Sequence, residues 1–163
     1  MDSRVKIYLK RAEDEFLLAK NDMKISTEDE IKEILGISKE KTFFNSVISH
    51  AYYSIFYSAK AYLLLKGIKT NAPEEHKKTY EKFKRVAYSE KIDNKLIEIY
   101  ERETIKAENL IKIFFTEKRK RGFFTYNVKS EANIPYAEES LENARKFISS
   151  IKLIIEKLYE NKN

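Results

Sequence analysis

Between Phe43 and Gly67 the chain reads FFNSVISHAYYSIFYSAKAYLLLKG, and this stretch constrains the fold more than any other. Phe44, Ile48, Ala51, Ile55, Ala59 and Tyr62 recur at steps of three and four. That spacing lays one apolar stripe along a helix. Tyr52, Phe56 and Leu63 widen the stripe, so more than one neighbour must pack against it. Ala51 and Ala59 let another backbone approach closely, and Gly67 supplies a left-handed stop. The pattern predicts a central helix from about Lys39 or Lys41 to Gly67.

The opposite side of that helix carries Ser46, His50, Tyr53, Tyr57 and Lys60, again at steps of four and three. A purely solvated face would carry Lys and Glu there. Two readings stand side by side. These residues form either the amphipathic rim of a central helix or an interface that meets a partner or ligand.

Three Gly and two Pro in 163 residues leave little material for turns. Long helices with few connections are expected, and no β-type alternation runs for any useful length. Before the central stretch, Val5, Leu9, Ala12, Phe16 and Ala19 predict a helix over about Ser3 to Lys24. Thr27-Glu28-Asp29-Glu30 has the form of a capping box for a short helix ended by Gly36. After Gly67, Pro73 suits a first helical turn, and His76, Tyr80, Phe83 and Ala87 space a shorter helix. Asp93 is placed to cap the next one, which runs through Ile97, Tyr100, Thr104, Ala107, Ile111 and Phe114 to about Lys118. RKRGFFTYNVKSEANIP breaks the period, and Ala137, Leu141, Ala144, Ile148, Ile151, Ile155 and Leu158 make a last long helix. The expected fold is all-α: an antiparallel, up-and-down bundle of four to five helices with one or two short extra ones. With no internal repeat or linker, residues 1–163 read as a single domain.

No apolar run approaches the roughly 20 residues that span a bilayer, and the N-terminus lacks the pattern of a signal peptide. The absence of Cys removes disulfide and thiolate chemistry. A cytoplasmic protein without membrane contact is expected. The net charge of +6 is modest, and much of it is Lys intermixed with Glu. His50 and His76 fall on different predicted helices, with no metal-ligand spacing, glycine-rich phosphate loop or nucleophile elbow nearby. No metal and no cofactor are expected. The informative place is KRKRGFFTY, where Lys118, Arg119, Lys120 and Arg121 adjoin Phe123, Phe124 and Tyr126. Cations there would neutralise phosphates, and free aromatic rings would stack on bases. The competing reading is that the cations complement a helix C-terminus while the rings plug the bundle end.

Taken together, YLKRAEDEFLLAK, AYYSIFYSAKAYLLLKGI, the downstream His76 and Arg121-x4-Tyr126 before the last helix resemble a HEPN domain (higher eukaryotes and prokaryotes nucleotide-binding) of an uncharacterised prokaryotic branch. The resemblance covers about Val5 to Leu158 and implies a four- to five-helix bundle, usually homodimeric. HEPN ribonucleases carry Arg, four to six residues, then His, and cut RNA across the dimer without a metal. Arg121 matches the Arg, and Tyr126 stands where the His would be. The resemblance therefore implies Arg121 and Tyr126 as the catalytic pair of a variant, metal-independent endoribonuclease. A phenol with a pKa near 10 is a poor base at neutral pH, which favours binding over cleavage. On this view Lys118, Arg119, Lys120, Arg121 and Phe123 bind RNA or a nucleotide, in a toxin–antitoxin or defence pair with a nucleotidyltransferase that modifies Tyr126. The other alternative is a helical interaction module without a nucleic-acid role.

Overall fold

A computed structural model describes residues 2–119 and 134–160. Those residues form six α-helices and no strand, so the chain is all-α. They are α1 (Ser3–Thr27), α2 (Asp29–Ile34), α3 (Phe44–Leu65), α4 (Glu75–Ser89), α5 (Asn94–Arg119) and α6 (Ile134–Glu160). No described helix is long and apolar enough to cross a membrane.

The central stretch is α3, and it packs against α1, α4, α5 and α6. All of its predicted stripe, from Phe44 to Tyr62, is buried. Tyr52, Phe56 and Leu63 are buried too, as the widened stripe requires of a helix with neighbours on several sides. Burying a side chain of this size contributes about 1.5–3 kcal/mol, so α3 supplies the largest share of the core. Gly67 ends it at φ +75°, the left-handed conformation that glycine reaches without Cβ strain.

Helix α1 lies along α3 in the opposite direction. Tyr8 meets Tyr57, Glu15 meets His50, and Ser26 meets Phe43. Its buried positions are Val5, Ala12, Ala19 and Ser26, seven apart, so small residues let the two backbones close together. This helix runs three residues further than its spacing predicts, and the capping box does not form. Thr27 belongs to the last turn of α1, where its hydroxyl donates to the Met23 carbonyl at 2.9 Å, while Glu28 precedes α2 without a side-chain cap. The buried Ser26 hydroxyl accepts from the Phe43 N–H at 2.7 Å, tying the end of α1 to the start of α3. Pro73 also falls outside its predicted place: α4 begins at Glu75, after a left-handed Glu74. Asp93 caps α5 as expected, accepting from the Lys95 N–H at 2.9 Å.

Helices α5 and α6 are joined by a polar network that no spacing announces. Glu103 is fully buried on α5. It accepts from the Ser140 hydroxyl at 2.6 Å, from the Asn143 amide at 2.9 Å and from Lys106 Nζ at 3.0 Å. Lys106 also reaches Glu139 at 2.8 Å, and Arg102 donates to the same carboxylate at 2.6 Å. Every oxygen of the buried carboxylate thus has a donor, the condition under which a buried charge is tolerated. The network sets α5 against α6 below the point where Lys118 and Arg119 end α5.

Candidate functional site

The second stripe of α3 lies where α1 and α4 flank it. His50 is held between two carboxylates of α1: Nδ1 sits 2.7 Å from Glu15 and Nε2 3.8 Å from Asp22. Burial pushes the Asp22 carboxyl up, with His50 opposing it. One turn on, Tyr53 stacks on Tyr57 (6.3 Å between centroids) and meets the His76 ring edge-on at 5.5 Å. Tyr57 in turn lies near-parallel to Tyr8 of α1, with the Arg11 guanidinium 4.9 Å from its ring centre. Lys60 is nearly buried, ion-paired with Glu75 of α4 and 4.6 Å from the Tyr8 ring centre. Burial alone would lower its pKa; the hydrogen bonds with Glu75 and Tyr8 outweigh that and raise it.

His76 closes the far side. Its Nδ1 lies 2.9 Å from the Tyr52 hydroxyl, and its ring stacks on Phe56. Burial lowers its pKa, against an opposing pull from Glu75. The His76 ring thus shares a hydrogen bond with the Tyr52 hydroxyl through Nδ1 and presents a flat face to Phe56. The result is a continuous row of rings, Tyr8–Tyr57–Tyr53–His76–Phe56, with one cation at Arg11 and another at Lys60. Such a row offers stacking and cation–π contact rather than acid–base chemistry.

The partners observed for His50, Tyr53, Tyr57 and Lys60 come from α1 and α4 of the same chain. Ser46, His50, Tyr53 and Tyr57 each keep a half-exposed edge. Lys118 and Arg119 are the final residues of α5. Lys120, Arg121, Phe123 and Tyr126 lie outside the described residues. Among the described residues no cluster of His, Asp and Glu has the makeup of a metal site. A cavity of about 550 Å3 lies between α1 and α6, lined by Leu9, Glu13, Lys152, Ile155 and Tyr159 among others, and none of the predicted site residues that are described lines it.

The sequence reading missed Tyr8, Arg11, Glu15 and Asp22. Their signal was present: they follow one another at +3, +4 and +7 and so share one face of α1. It was hidden because each also fits an ordinary amphipathic helix. Glu103 had no comparable signal, since a lone Glu among Lys and Glu reads as solvated.

Comparison of the chain with protein-family models, with curated proteins and with solved structures returns no match.

Proposed function

We propose that this chain is an RNA- or nucleotide-binding HEPN-type protein that works as a homodimer, paired with a nucleotidyltransferase in a toxin–antitoxin or defence system. The antiparallel up-and-down bundle of that family is part of the reading. One observation carries it: Lys118 and Arg119, the first two cations of the KRKR run, are the last residues of α5, a helix joined to α6 through the buried Glu103. In the sequence that run, the tightest basic cluster of the chain, adjoins Phe123 and Tyr126. Cations that neutralise phosphates, beside rings that stack on bases, suit single-stranded nucleic acid. Binding is favoured over cleavage because Tyr126 replaces the base of the family motif.

The test is fluorescence anisotropy of labelled single-stranded RNA and of ATP in EDTA, wild type beside Arg121→Ala. The reading expects affinity that falls steeply with salt and drops in the variant. Undiminished binding in Arg121→Ala, or no binding by the wild type, overturns it. RNA shortened in EDTA by the wild type and left intact by Arg121→Ala would establish the ribonuclease instead.

A further inference from the structure

Helix α4 carries a second basic surface. Its fifteen residues hold five cations (Lys77, Lys78, Lys82, Lys84 and Arg85) against Glu75 and Glu81, a net +3 in a chain whose total is +6. These charges are not spread around the helix. Thr79, Phe83 and Ala87 are buried, fixing the inner face. At 100° per residue, Lys77, Lys78 and Arg85 then share the outer arc with Glu81 and Tyr88, and exposed Lys82 stands at one edge of it. Tyr88 is 55% exposed.

The outer cations are also electrostatically unspent. Among the described residues Lys77, Lys78, Lys82 and Arg85 make no ion pair, although Glu81 is one turn from Lys77, Lys78 and Arg85. By contrast Lys84, at the arc's other edge, faces Glu101, and Lys66, at the end of α3, pairs with Glu90 at 2.7 Å. Lys82 donates to the Lys69 carbonyl at 3.0 Å, a neutral acceptor, and meets no carboxylate among the described residues. From Lys77 to Arg85 the arc spans about 12 Å, the axial length of about three stacked nucleotides.

We infer that the outer arc of α4 is a docking track for single-stranded RNA, with Lys77, Lys78, Lys82 and Arg85 on phosphates and Tyr88 stacking on a base. The inference rests on the RNA-binding reading and adds a contact surface separate from Lys118–Arg121. An anionic lipid surface would also attract the cations, but α4 turns its apolar side into the core and presents no aliphatic residue outward to enter a bilayer.

The experiment measures anisotropy of a labelled single-stranded RNA across salt for the wild type, the triple variant Lys78→Ala/Lys82→Ala/Arg85→Ala, Tyr88→Ala and Arg121→Ala. Arg145→Ala, on α6, serves as a surface control, and circular dichroism confirms that each is folded. The triple variant is expected to bind at least about tenfold more weakly, with the slope of log K against log salt shallower by about 2, or about 0.7 for each phosphate no longer neutralised. Tyr88→Ala is expected to bind about tenfold more weakly with its slope unchanged, because stacking releases no counterion. Wild-type affinity and slope in the triple variant, alongside weakened binding in Arg121→Ala, overturn the α4 track and leave RNA binding standing. No binding by the wild type overturns both. A triple variant that no longer binds phosphatidylserine vesicles, with RNA affinity unchanged, overturns the track in favour of a lipid surface.

Discussion

His76 lies flat on Phe56, their ring centroids 4.0 Å apart and their planes 16° from parallel. The contact joins the first turn of α4 to the middle of α3, so the protonation of one imidazole bears on how α4 is seated. Burial, the main cause, holds its pKa below the ordinary 6.5. Between that lowered value and 6.5 the unfolded chain binds a proton that the folded chain does not, so stability rises with pH there. Its contribution is complete above about pH 6.5 and is lost as pH falls toward the folded value. Urea unfolding from pH 7.5 to 5 should show this loss in the wild type, and the difference from His76→Leu should shrink toward acid pH. A pH-independent difference would mean that folding leaves the pKa of this imidazole unchanged.

Glu103 is fully buried and accepts from three side chains. Glu103→Ala strands Ser140 and Asn143 and opens a void between α5 and α6. A destabilisation of about 3 kcal/mol is expected in chemical denaturation. Lys106 keeps Glu139, so Glu139→Ala in the same background should cost more than it does alone. Strict additivity would show that the two carboxylates do not share the lysine.

The Tyr100 hydroxyl is buried and finds no hydrogen-bond partner among the described protein atoms. The ring itself is packed edge-on against Tyr80, Phe83 and Phe147. Tyr100→Phe keeps that ring packing and removes the stranded polar atom. It should stabilise the protein by about 1 kcal/mol, read as a higher melting temperature. A lower one would show that the hydroxyl is satisfied in solution.

At Gly67 the backbone is left-handed, and a Cβ there would touch nothing within 4 Å. Any cost of Gly67→Ala is therefore conformational, about 1 kcal/mol, and Gly67→Asn should cost less because Asn tolerates this region. Equal unfolding midpoints for all three would mean that the joint between α3 and α4 relaxes to another conformation.

Local residue pattern was enough to set the helices and the hub. The three-and-four spacing around Ala51, Ile55 and Ala59 marks one buried face whatever packs on it, because helix geometry is local. Gly67 and Asp93 likewise act on their own neighbours and were legible for that reason. The capping box failed because Ser26 already held the end of α1 against Phe43, a contact seventeen residues away. What meets the second stripe of α3 was settled by the assembled bundle. Tyr8, Arg11 and Glu15 reach it because α1 runs back along α3, and His76 because α4 returns across Phe56. The same assembly turned Glu103, one of many carboxylates in the chain, into the buried joint of α5 and α6. Periodicity says which face is covered; the partner's register, set by the whole bundle at once, says by what.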